Sequence, residues 1–136
     1  MQQDNLKLIA RLYEAMDARD MASIAQMIDP EVSIYQTDLL PWGGRYHGLA
    51  GLAEFYGKLT ETIDSAVETG ELVSAGECVV QIGRTRGRVK ASGAEFDVRE
   101  VHVWELRDGK VLRFEAHIDT PAMLEALQAR RAQRSG

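Results

Sequence analysis

The side chains best placed to do chemistry in this sequence are proton donors and acceptors. His102 stands in the run Arg99-Glu100-Val101-His102-Val103-Trp104-Glu105. An imidazole exchanges its proton near pH ~6.5, so a sheltered one suits proton transfer. It then needs an acid to hold its tautomer, and Glu100 and Glu115 are the candidates. Asp38 is the second acid of interest. It precedes Pro41-Trp42-Gly43-Gly44-Arg45-Tyr46-His47-Gly48, where Trp42 could desolvate it into a base; the alternative is a solvated turn carboxylate. Tyr13 and Tyr35 offer phenol donors to a ligand oxygen, or else ordinary buried tyrosines with structural hydrogen bonds.

Other chemistries are poorly served. Three dispersed histidines have no metal-ligand spacing, and one cysteine, Cys78, excludes an internal disulfide and a multi-cysteine metal site. No phosphate loop or dinucleotide fingerprint occurs, so no cofactor is expected. A net charge of −5 argues against a nucleic-acid surface. The basic runs Arg84, Arg86, Arg88, Lys90 and Arg130, Arg131, Arg134 read as solvated faces. The N-terminus has no signal-peptide core and no apolar run reaches membrane length, which makes the cytoplasm the expected location.

The elements that must position these groups follow from periodicity. At 136 residues, 45% of them hydrophobic, the chain is expected to be one domain over 1–136 with a sizeable core. Leu6, Ile9, Leu12, Tyr13 and Met16 recur at helical spacing. Asp20 is placed to cap a short second helix that ends at Asp29-Pro30. Val32 and Ile34 then alternate with polar neighbours as a strand does, the Pro-Trp-Gly-Gly stretch is a loop, and 48–63 returns to helical spacing through Phe55. Residues 66–119 read as strands with turns at Ala75-Gly76, Ser92-Gly93 and Asp108-Gly109, and Thr120-Pro121 opens a last helix. The fold class is therefore α+β: a curved antiparallel sheet against N-terminal helices, with a short C-terminal helix. A bent sheet leaves a cavity at its open end. The loop crosses its mouth, so Trp42 and Tyr46 either line that cavity or plug the end of the core.

Counting back from the Asp108-Gly109 turn divides the last hairpin into two faces. Arg99, Val101, Val103, Phe114 and Ala116 fall on one, mostly apolar and assigned to the helices. Glu100, His102, Trp104, Arg113, Glu115 and His117 fall on the other. Trp104 among charges that can pair suggests the core of a homodimer interface.

The run "REVHVWELRDGKV", with "GRTRGR" at 83–88 and Asp119-Thr120 before a helix, resembles the SnoaL-like, ketosteroid-isomerase-related branch of the nuclear transport factor 2-like superfamily. The resemblance spans nearly the whole chain. It implies a cone-shaped barrel, commonly dimeric, with an apolar pocket. Matched along the chain, the isomerase tyrosine and acids fall at Leu12 (beside Tyr13), Gln36 and Val101. The epoxide-hydrolase triad falls at Gly83, Thr85 and Ala116, and the cyclase base also at Ala116. The cyclase pocket histidine matches His102, which conflicts with the hairpin count unless a β-bulge intervenes. The resulting expectation is a pocket for a small, largely apolar carbonyl or polycyclic compound. His102 and Asp38 are its candidate catalytic groups. Tyr13, Tyr35, Trp42, Tyr46, Phe55, Arg99, Val101, Phe114 and Ala116 are its candidate ligand contacts. The activity would be cofactor-free isomerisation, cyclisation or dehydration; the alternative is a non-catalytic binding or dimeric interaction module.

Overall fold

Leu8, Ile9, Leu12 and Tyr13 bury one face of the first helix, α1 (Gln2–Asp17), and that face decides what the sheet must cover. The structure, a computed structural model, describes residues 2–129; the basic tail at Arg130, Arg131 and Arg134 lies outside them. After α1 come α2 (Met21–Gln26), β1 (Ile28–Gln36), β2 (Gly44–His47), α3 (Gly48–Thr62), β3 (Ile63–Ala75), β4 (Cys78–Val89), β5 (Glu95–Arg107), β6 (Lys110–Ile118) and α4 (Thr120–Gln128). Among the described residues, no helix is long and apolar enough to cross a membrane.

The six strands form one sheet in the order β2-β1-β6-β5-β4-β3. Strands β3 to β6 are an antiparallel meander, as their turn signals require. Asp108 and Gly109 both take positive φ in the last turn, at 53° and 75°. The sheet is not wholly antiparallel, because β1 runs parallel to β6. The chain reaches that position through β2 and the α3 crossover rather than a hairpin. Helix α3 packs against β1 and β2 at one end of the strand order and against β3 at the other. One helix can touch both ends only if the sheet curls around it.

Three boundaries differ from expectation. Asp29 and Pro30 do not end α2; they lie inside β1, where the pairing with β6 breaks register between Ile28 and Ser33. A strand accepts proline at such an irregularity because no ladder bond is lost there. Residues Gly44–His47, expected in a loop, pair with Ser33–Gln36 as β2. Asp119 rather than Thr120 caps α4, accepting from the Ala122 N–H at 3.2 Å, with Pro121 in the first turn.

The hairpin count also needs correcting, and the cause is local. Arg107 faces Lys110 and Leu106 faces Val111, but Glu105 then faces Arg113. Leu112 is therefore one extra residue on β6. Beyond it Trp104 faces Phe114 and His102 faces Ala116. That bulge turns Phe114 and Ala116 inward beside Glu100, His102 and Trp104, which share the buried parity of β5 with Phe96, Val98 and Leu106. Arg99, Val101 and Val103 point to the opposite face, Arg99 fully into solvent.

Candidate functional site

Tyr13 on α1 reaches across the interior to β5. Its hydroxyl lies 2.6 Å from His102 Nδ1 and 2.9 Å from Trp104 Nε1. An indole N–H can only donate, so the phenol oxygen accepts from Trp104 and directs its own proton to His102 Nδ1. That leaves the His102 proton on Nε2, which faces Glu100 Oε1 at 3.2 Å. The Thr85 hydroxyl, from β4, donates to the same carboxylate oxygen. The result is a directed chain, Trp104 to Tyr13 to His102 to Glu100, with Thr85 closing it. Its members are all buried: Glu100 is 2% exposed and His102 6%.

Period two explains why these residues meet. Glu100, His102 and Trp104 alternate along β5 with Val101 and Val103, so all three share its inward face. The rings then pack on each other. His102 stacks on Tyr13, and Phe114 contacts both His102 and Trp104, with centroids 5.1 and 4.2 Å away. Phe55 and Tyr46 extend the aromatic wall from Phe114 towards the loop.

Burial pushes the Tyr13 phenol well above its ordinary titration range; the Trp104 N–H opposes that, and the Glu100 charge adds to it. Tyr13 is accordingly a neutral hydroxyl, able to hold the imidazole but not to act as a phenolate base. Glu100 has a second oxygen, Oε2, that is buried without a hydrogen-bond partner among the described residues. Of the chain, this is the atom free to meet a proton from elsewhere.

The other sequence candidates separate into two groups. Trp42 is buried, its indole N–H held by Gln36 Oε1 at 2.8 Å, and the Tyr46 hydroxyl donates to the carbonyls of Trp42 and Gly43. Gly43 is required there: a Cβ would stand 1.7 Å from the Thr37 carbonyl oxygen. The loop is thus folded tightly onto the end of the core. Phe55, Phe114 and Ala116 are interior too. Asp38 is not. It is exposed on the turn, because the bend that sends Trp42 inward sends Asp38 outward, and it takes no part in the buried chain. Tyr35, Arg99 and Val101 lie on the outer face, where Arg45 covers the Tyr35 ring at 4.6 Å. Trp104, expected at a subunit interface, is 4% exposed and committed to Tyr13. Glu115 does not orient His102; it pairs with Arg113 and His117 outside. Tyr13 and His102 face each other across the interior, while Val101, the position matched to an isomerase acid, lies on the outer face.

Gln81 escaped the sequence reading. It is fully buried opposite His102, and both amide atoms lack partners among the described residues. Its signal was available: in Val79-Val80-Gln81-Ile82-Gly83-Arg84-Thr85 the inward parity of β4 carries a glutamine and a threonine where an ordinary core strand carries aliphatics. No group of three or more histidine, cysteine, aspartate or glutamate side chains placed to hold a metal ion occurs among the described residues. Two surface depressions lie elsewhere. One of about 690 Å³ is lined by Arg19, Asp64, Arg86 and Phe96; one of about 260 Å³ by Tyr35, Arg45, His47 and Arg113. Neither includes a member of the buried chain, so the candidate site rests on the interior groups.

The fold is that of an NTF2-like protein. The SnoaL-like domain family matches residues 9–114, and the chain belongs to it. Among solved structures, it is similar to an NTF2-like protein of unknown function from Burkholderia pseudomallei, with 26% identity, a TM-score of 0.85, and coverage of 93% of this chain and 98% of that one. It is similar to TerC, crystallised with polyporic acid, at 26% identity and a TM-score of 0.83 over 93% and 99% of the two chains. A protein proposed to be a SnoaL-like polyketide cyclase, from Jannaschia sp., shares the fold at 20% identity and a TM-score of 0.82 over 95% and 94%. No curated protein matches.

Proposed function

We propose that the protein binds a small, largely apolar carbonyl or polycyclic compound inside the curled sheet and performs cofactor-free acid–base chemistry on it. The observation that carries this reading is the chain from Tyr13 through His102 to Glu100, buried and ending on an unpaired carboxylate oxygen. Burying the Glu100 carboxylate costs several kcal/mol, which the imidazole N–H and the Thr85 hydroxyl on Oε1 offset only in part, since Oε2 is left unpaired among the described residues. Trp42, Tyr46, Phe55, Phe114 and Ala116 would supply apolar contact. The similarity to TerC, crystallised with polyporic acid, supports a small organic ligand.

In this reading Glu100 Oε2 removes a proton from carbon beside the carbonyl. The C–H electron pair enters the enolate, and His102 Nε2–H steadies the carboxyl group through Oε1. Returning the proton to a different carbon is isomerisation; expelling a β-hydroxyl is dehydration. Glu100 is the catalytic residue, His102 its proton partner, and Tyr13 a positioning residue. Ala116 favours the second reading, a binding module without turnover, because it puts a methyl group where the related cyclases would carry their base. The protein would work in the cytoplasm as a homodimer. The half-buried Val101 and Val103, flanked by Arg113 paired with Glu105 and Glu115, give the outer face an apolar strip with a charged rim.

Deuterium exchange of the C1 protons of 2-tetralone, followed by proton NMR in D2O, tests the chemistry. Wild-type protein should accelerate exchange over buffer, and Glu100→Gln should lose most of the acceleration, about 10²-fold or more. Exchange at the buffer rate by wild-type protein that nonetheless binds 2-tetralone would leave the binding module as the better reading.

A further inference from the structure

Gln81 presents a requirement that the chain from Tyr13 to Glu100 does not meet. Its side chain is fully buried on the inward face of β4, and both the amide oxygen and the amide nitrogen are unpaired among the described residues. Burying an amide with neither hydrogen bond satisfied is costly, and native interiors rarely keep such a group without a partner to come. The amide is also given room. It leans along β4 over Gly83, where a Cβ would stand 2.5 Å from Nε2 and 2.2 Å from the Glu68 carbonyl oxygen. Gly83 faces Glu100 across the β4–β5 ladder, and Gln81 faces His102. The unpaired amide and the unpaired Glu100 Oε2 therefore belong to the same inward patch.

Together these atoms pose a definite chemical pattern: one N–H donor beside acceptor oxygens. Interchanging the amide oxygen and nitrogen leaves the pattern the same, since both ends are free. A plain ketone satisfies only the donor, and a plain alcohol only an acceptor. We infer that Gln81 and Glu100 form a specificity subsite for a neutral hydroxy-ketone. Its carbonyl oxygen accepts from Gln81 Nε2–H, and its neighbouring hydroxyl donates to Glu100 Oε2 or Gln81 Oε1. The inference rests on the proposed function for the location of the chamber, and adds which oxygenated class is selected there. A site built to bond both groups rejects a compound lacking one, because the buried partner is then left unsatisfied.

Three probes of nearly equal size separate the possibilities. Benzoin carries a hydroxyl beside its ketone, benzoin methyl ether keeps both oxygens but has no donor, and deoxybenzoin keeps the ketone alone. Binding is read by titration calorimetry and competition, with wild-type protein and Gln81→Met. Wild type should prefer benzoin over both others by at least about tenfold, the effect of one lost buried hydrogen bond. Gln81→Met removes the donor to the carbonyl oxygen, so it should weaken benzoin and deoxybenzoin alike, by about tenfold or more. Without any probe it should melt at or above the wild-type temperature, since it removes an unsatisfied amide. A lower melting temperature with the probe affinities unchanged would make Gln81 a structural residue and overturn the inference. Equal binding of all three probes to wild type would overturn the subsite alone and needs no variant to be read. Binding of none would overturn the chamber itself, and the subsite with it.

Discussion

Tyr13 and His102 stand 89 positions apart in the sequence and 2.6 Å apart in the structure. That contact ties α1 to the middle of the sheet. It is also the only bond holding His102 Nδ1 among the described residues, so the histidine's orientation depends on a helix from the other end of the chain.

Tyr13→Phe should therefore remove two bonds at once, stranding the Trp104 N–H and His102 Nδ1. The expected loss is about 2–4 kcal/mol, taking about 1–2 for each stranded group, measured by urea unfolding. A loss within error of zero would show that the chain does not hold the fold. The same residue makes a pH prediction. Burial raises the folded-state phenol above its unfolded value. The stabilisation from its neutral form is then complete below pH ~10 and is lost as pH rises towards the folded value. Of the four tyrosines, Tyr13 should be absent from the phenolate absorbance that develops while the protein stays folded. Wild type and Tyr13→Phe should give equal phenolate amplitude until alkaline unfolding.

Trp42 is 1% exposed and bonded to Gln36. Trp42→Ala should cost about 3–5 kcal/mol, as large-to-small changes in packed cores do. The same variant reports on ligand contact: if Trp42 touches the bound compound, its wild-type fluorescence should change on adding 2-tetralone, with Trp42→Phe isolating the Trp104 signal. A signal carried by Trp104 alone would move the ligand away from the loop.

A homodimer through the outer face should have about twice the 15.1 kDa chain mass by light scattering at micromolar concentration. Val103→Asp, which puts a charge on the half-buried strip, should shift it to monomer. Trp104 is interior, so its replacement should lower stability before it changes assembly. A monomeric wild type would remove the dimer from the proposal.

What was legible in advance followed from short-range rules. The helical spacing of Leu6, Ile9, Leu12, Tyr13 and Met16, the glycine turns and the Asp108-Gly109 hairpin are set by residues within a few positions of one another, and they define the α+β architecture. The resemblance of the segment around His102 placed the chain among SnoaL-like domains. The site was different in kind. Which residues of β6 join β5's inward face depended on one extra residue, Leu112, which reverses the facing of β6 beyond it. It brought Phe114 and Ala116 to the side of Glu100, His102 and Trp104, while Arg99 and Val101 keep the other face of β5. Asp38 and Trp42 lie four positions apart and suggested a desolvated acid, but the direction of a tight bend is set by its contacts, here Gly43 against Thr37. Sequence alone determined the family and most of the elements, though not β2 or the start of β1, because local sterics and periodicity act within a few residues. The tertiary structure alone decided which polar groups share the interior, because strand register and the reach of Tyr13 across the sheet are long-range facts.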